Sequence, residues 1–259
     1  GITGKIAKQL NQTANIQIKG FETTKFKPQQ FDIVVGNVPF NNFTIEANQF
    51  KKSYLIHDYF FKNSLDVVKD GGIVAFITST GTLDKKSKEF RHELNEQADF
   101  LGAVRLPNNA FKDIAGTDVT TDIIFFQRND NKISKQELWL DSSDNIAHEG
   151  VRYNDYFISH PNQLLGRIEV KHFNGLTFSL KPLDEPLQET LHNRLTNIHG
   201  QISEPVLKEV NAAYMKNDSL VETQQEIDPE TLPLFTYVIA ENGDILYRDN
   251  DDVSVIQPK

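Results

Sequence analysis

The residues best suited to chemistry are "NVPF", Asn37 to Phe40, which close the run "FDIVVGNVPF". The Asn37 amide offers a carbonyl acceptor, the Val38 peptide oxygen ahead of Pro39 offers a second, and Phe40 offers a flat apolar face. Two acceptors beside an aromatic plate suit a planar ligand bearing an amino group. A nucleobase turned out of a duplex presents such an amine and a π-face together. Thr78 and Ser79, at the end of "GGIVAFITST", either line the same cleft or merely terminate a strand. An isolated Asn-x-Pro-Phe is commonly an ordinary turn, so the elements around it decide its meaning.

Those elements alternate. Ile33, Val34 and Val35 form the continuous apolar run of a strand buried on both faces, which points to a parallel sheet. Asn37 to Ser53 reads as a polar loop. "YLIHDYFFKNSLDVVKDGG" reads as a helix ending on glycines, and "GGIVAFITST" as a second buried strand. Asp84 to Gln97 is helix-compatible with Asp84 as N-cap, and "FLGAVRLP" and "TTDIIFFQR" supply two further strands. Thr3 to Leu10 reads as a short amphipathic helix and Ala14 to Ile18 as a strand. Strands alternating with helices predict a doubly wound α/β sheet, whose ligands bind at the carboxyl ends of its strands, where Asn37 to Phe40 falls.

Beyond Asn129 the pattern changes. "QELWL" reads as an edge strand, "DEPLQETLHNRLTNI" and "SEPVLKEVNAAYMK" as helices, and "TYVIAENGDILYRDN" as a hairpin about Asn242-Gly243. Two domains are expected, 1–130 and a mixed α/β extension 131–259. Charge divides in the same way. The first 130 residues carry 16 basic against 15 acidic side chains and the rest 11 against 21, for a net −9; the charge does not itself suggest DNA binding, but any contact with nucleic acid should come from the first part.

Other residues carry less. His57 beside Asp58 suggests acid–base work, but at a helix start capping is the simpler use. The basic run Lys85, Lys86, Lys88 and Arg91 reads as a solvated helix face rather than a phosphate contact. The seven histidines lack metal-ligand spacing and there is no cysteine, so no metal site is expected. No apolar run approaches the roughly 20 residues of a membrane span, and a cytoplasmic location fits the absence of cysteine and of a secretory signal.

With "NVPF" in this setting, the sequence resembles the DNA adenine methyltransferases, whose signature is Asn/Asp-Pro-Pro-Tyr/Phe at the end of the fourth strand of a Rossmann-like sheet. Val38 stands where the signature has its first proline. "GGIVAFITS", "FLGAVRLPNNAF" and "AGTDVTTDIIFFQR" resemble the later blocks in the right order. The likeness covers roughly the first half of the chain. It is especially similar to modification subunits of restriction systems and to methylase segments of very large proteins carried by mobile elements.

The resemblance implies methyl transfer from S-adenosylmethionine to a flipped adenine in DNA. Asn37 and the Val38 carbonyl would hold the amine, Phe40 would stack on the base, and Phe111 would close its other face. Glu22 would lie near the adenine of the cofactor. The family's glycine-rich turn and ribose-binding acid are not visible, so a partial sheet lacking its first strands is expected, with an N-terminal segment or another subunit as partner. Alternatives are a non-enzymatic methyltransferase-like module that binds nucleic acid or acts as a scaffold, and an enzyme acting on RNA or protein glutamine.

Overall fold

In the computed structural model, residues 1–40, 43–47, 50–172 and 175–201 are described, with the backbones of three strands beyond. The chain forms α1 (Ile2–Leu10), β1 (Phe31–Asn37), β2 (Thr44–Ala47), β3 (Lys52–Leu55), α2 (Ile56–Val67), β4 (Val68–Ser79), α3 (Gly81–Asp84), α4 (Glu89–Asn95), β5 (Ala98–Leu106), α5 (Lys112–Ala115) and β6 (Thr121–Arg128). There follow β7 (Ser142–Asn145), β8 (Val151–Asn154), α6 (Asp155–Ser159), β9 (Arg167–Lys171), β10 (Thr177–Lys181) and α7 (Leu187–Leu195).

The main sheet has the order β1-β4-β6-β5. β1 runs parallel to β4, with Asn37 opposite Ile77, whereas β6 is antiparallel to both β4 and β5. The sheet is therefore mixed rather than all parallel. Between β4 and β5 the chain can cross over through α3 and α4, but between β5 and β6 it has only α5, a single turn, and it returns antiparallel. Aromatic residues fill the core. Phe61 of α2 meets Phe76 of β4 and Phe126 of β6 edge-on at 5.1 and 5.7 Å, and Phe100 of β5 stacks on Trp139 at 5.0 Å.

Several elements differ from the sequence expectation. Ala14 to Ile18 forms no strand, because no strand of the described residues meets its backbone groups; Ile18 instead lies against Gly4 of α1. "QELWL" holds a 3₁₀ turn, Leu138–Leu140, which buries the adjacent Trp139 and Leu140 together where a strand would send them to opposite faces. The expected polar loop contains the β2–β3 hairpin. The helix over residues 54–72 stops at Val67, and Gly71 and Gly72 lie inside β4 rather than capping it. Asp84 ends α3 instead of starting the next helix.

The segment after β6 belongs to the same compact unit, which runs from Gly1 to Gln201. It packs along β5, where Leu164 bridges Arg105, Asn108 N donates to Leu180 O at 2.7 Å, and α7 and Ile198 cover Val104 and Leu106. The opposite edge is different. Among the described residues nothing pairs with the outer side of β1, and Ile33 and Val35 are 60% and 70% exposed. A second unit, Ile202–Lys259, contains an antiparallel sheet of β11 (Tyr237–Ile239), β12 (Ile245–Asp249) and β13 (Asp252–Ile256). β11 and β12 pair as the expected hairpin; its Asn242-Gly243 turn, and the helix expected over 203–216, lie outside the described residues. No helix of the described residues is long and apolar enough to cross a membrane.

Candidate active site

The carboxyl ends of β1 and β4 lie side by side. The parallel ladder continues one residue past Asn37, since Val38 N donates to Ile77 O at 3.0 Å. That bond and the burial of the Val38 side chain, 2% exposed, hold the turn down on the sheet. The chain then leaves through exposed Pro39, with Phe40 only partly covered. The Asn37 side chain is exposed and makes no hydrogen bond among the described residues, and the Phe40 ring meets no other aromatic ring there. A buried valine anchors the turn while the candidate side chains Asn37 and Phe40 stay outward.

The remaining candidates occupy varied positions. Thr78 is fully buried, its hydroxyl 3.1 Å from that of Thr82 in α3, and Ser79 is half-buried. Phe111 is half-buried against the apolar cluster of Val104, Leu106 and Leu165. Glu22 is exposed on the 3₁₀ turn Phe21–Thr23, its carboxylate folded back over Gly20, and Phe21 anchors that turn by stacking on Phe60 at 4.6 Å. Phe21, Phe26, Phe31, Ile33, Val35 and Val67 contribute to the walls of an apolar hollow of about 300 Å³ at the outer side of β1.

Two groups prove structural. Asp58 pairs with Lys85, and α2 has no side-chain cap, so neither His57 nor Asp58 caps the helix. His57 is buried, its Nε2 3.6 Å from Asp58 Oδ1 and neither ring nitrogen hydrogen-bonded among the described residues; burial lowers its pKa, which Asp58 opposes and Lys85 reinforces, favouring the neutral ring. In the basic run, Lys88 pairs with Asp141, while Arg91 is 1% exposed and donates to the Leu140 and Lys85 carbonyls at 2.9 Å each. Arg91 is thus a core residue rather than a solvated one.

The most heavily built polar cluster escaped sequence reasoning. Thr78, Asp122 and Arg105 lie in register across β4, β6 and β5, one residue beyond the Asn37 row. Arg105 and Asp122 are 0% exposed. Arg105 grips Asp122 bidentately, Nε to Oδ1 at 2.6 Å and Nη2 to Oδ2 at 2.8 Å, and also meets Asp84 of α3 at 2.9 Å. Burial opposes the charge on Arg105, but Asp122 and Asp84 outweigh it and raise its pKa. The detectable signal was a charged residue inside each of two apolar strands, "GAVRLP" and "TTDIIFF".

Two carboxylates share one guanidinium, so one is held less firmly. Burial pushes the Asp84 carboxyl up to about 6, with Arg105 opposing and Asp122 adding to the shift. A folded pKa above the ordinary 3.8 means that the native state holds this proton over a range where the unfolded chain has released it. Stability relative to Asp84→Asn should therefore fall as pH rises from about 4 to about 6, and level off above. Urea midpoints of both proteins across that range check it; a parallel course would contradict it.

A family model described as N-6 DNA Methylase matches residues 6–164. The chain belongs to this family. The Defense against restriction protein B of Escherichia phage P1 is 30% identical over 142 residues, 52% of this chain and 6% of that protein. A chain from a solved type I restriction–modification system is 30% identical over 39% of this chain and 22% of its own length, with a TM-score of 0.34. The M protein of the type I restriction enzyme EcoKI is 12% identical, covering 79% of this chain and 54% of its own, with a TM-score of 0.34. The chain thus spans a small part of the phage protein and under a quarter of the first structural relative. Its mixed sheet is a Rossmann-like methyltransferase sheet.

Proposed function

We propose that this chain is the substrate-facing half of a DNA adenine-N6 methyltransferase that uses S-adenosylmethionine and takes its target base flipped out of the duplex. The supporting observation is the Asn37 amide, outward and without a partner among the described residues, at the carboxyl end of β1 beside Phe40. Asn37 Oδ1 and the Val38 carbonyl accept the two hydrogens of the adenine amine, and Phe40 stacks on the ring. Accepting both hydrogens draws the nitrogen lone pair out of conjugation and towards the incoming methyl. Phe111 and Ser79 are assigned to the walls around the base, whereas Thr78, expected there from the sequence, is fully buried against Thr82 and lies beneath them.

The cofactor would supply an electrophilic methyl group. The apolar hollow beside β1 and the Glu22 carboxylate on its bordering turn fit the adenosine part of such a molecule. The described residues offer no glycine-rich turn for its amino-acid end. We assign that end to a further segment or subunit beside the open edge of β1, with which no described strand pairs. The same open edge favours a second reading, a methyltransferase-like module without activity of its own.

Incubating protein made from the complete coding sequence with duplex DNA and methyl-labelled S-adenosylmethionine, followed by base analysis, separates the two. Labelled N6-methyladenine is expected. Absence of label, together with no calorimetric heat at millimolar cofactor, would reject the enzyme reading.

A further inference from the structure

We infer that Arg105 is a positioning residue, through which the segment Leu138–Lys181 braces the loops after β4 and β5 against each other. This rests on the reading of those loops as site walls, but its structural content does not depend on catalysis. The connection after β4 runs from Thr80 through α3 to Asp84, and the loop after β5 from Pro107 to Phe111. Arg105 lies one residue before the end of β5 and holds Asp84 at the far end of the β4 loop. One guanidinium therefore spans both loops, and its bidentate hold on Asp122 ties them to the sheet.

The downstream segment contacts this junction at several points. The Arg105 guanidinium lies 4.3 Å from the Phe157 ring centre and 5.4 Å from that of Phe178. Asn154 N donates to Asp84 Oδ1 at 2.9 Å, and fully buried Asn154 donates its amide to the Leu83 and Trp139 carbonyls. Leu165 N donates to Arg105 O at 2.9 Å. Asn108, in the β5 loop, donates to Ser179 Oγ at 3.0 Å, and Leu180 N donates to Thr120 Oγ1 just before β6.

A hydrophobic lid would cover the strands without needing these bonds. Buried ion pairs add little stability over apolar packing, but they demand one geometry, because each charge must meet its partners or remain stranded. A guanidinium fork bonded to two carboxylates fixes the distance between their elements in a way that apolar contact does not. Thr78, in register with Asp122 and Arg105, lies on β4 next to β1 and one residue beyond the partner of Asn37, so a shift of the turn after β4 would pass to the proposed site through that strand.

The test compares Arg105→Lys with wild type. Lysine keeps the charge but cannot bind Asp122 bidentately and reach Asp84 at once. Hydrogen exchange followed by mass spectrometry should quicken at least tenfold in peptides covering 78–86 and 107–116. Peptides from the β4 centre, 72–77, should exchange within threefold of wild type. If Arg105→Lys does not fold, Asn108→Ala, which leaves the buried charges whole, should quicken 107–116 alone. In full-length protein active on DNA, Arg105→Lys should lower kcat at least tenfold while KM for DNA changes less than threefold.

Unchanged exchange in both loops, or equal quickening through the whole sheet, would overturn the brace. Equal losses in kcat and in folded fraction would do the same. If wild type methylates nothing, the functional reading fails while the exchange result still decides the brace.

Discussion

Replacing Asn37 by alanine should reduce methyl transfer by roughly 10²–10³-fold, the usual cost of removing one well-placed polar group that acts on a developing charge. The amide points outward and supports no other described residue, so the fold should survive and the urea midpoint should stay unchanged. DNA affinity should fall only modestly, because backbone contacts supply most of it. Single-turnover rates at saturating DNA, compared with equilibrium binding of the same duplex, separate these effects. Asn37→Asp is informative beside it, since a carboxylate retains the acceptor and should keep more activity than alanine. A variant that turns over at the wild-type rate would end the proposed role of Asn37, and with it the main support for adenine as substrate.

Arg105→Met should have the largest effect on stability. Removing one partner of a buried ion pair strands the other, and losses of about 3–5 kcal/mol are typical. Here two carboxylates are stranded, Asp122 at 0% exposure and Asp84 beside it, so the upper part of that range is expected. Methionine fills much of the vacated volume between Phe157 and Phe178, which makes the lost charge, rather than a cavity, the cause. Denaturant unfolding of the variant checks this. Adding Asp122→Asn should recover part of the loss, because it removes one of the stranded charges; a double variant less stable than Arg105→Met would contradict the account.

The stretches with uninterrupted apolar character were legible as strands. β1, β4, β5 and β6 fall where "FDIVVGN", "GGIVAFITS", "FLGAVRLP" and "TTDIIFFQR" place them, but β1, expected to be buried on both faces, is an edge strand with Ile33 and Val35 exposed, because no described strand lies on its outer side. Short elements were less legible. Ala14 to Ile18 has strand composition but no described strand beside it, and Trp139 with Leu140 gains more from a tight turn that buries both. The antiparallel course of β6 depends on the length and geometry of the connection before it, which apolar patterning does not encode.

Local chemistry was written in the sequence: an amide, a peptide oxygen and an aromatic ring in four consecutive residues after a buried strand need no distant partner to be recognised. Family membership followed from such blocks and their order. Only the tertiary structure decided that Arg91 lies in the core, that Asp84 turns away from helix capping to meet Arg105, and that residues 131–201 pack along β5 while no described strand pairs with the outer side of β1. The reason is physical. A charge or an apolar edge is settled by what lies opposite it in space, and Arg105, Asp122, Asp84 and Asn154 meet across 17 to 70 residues of chain.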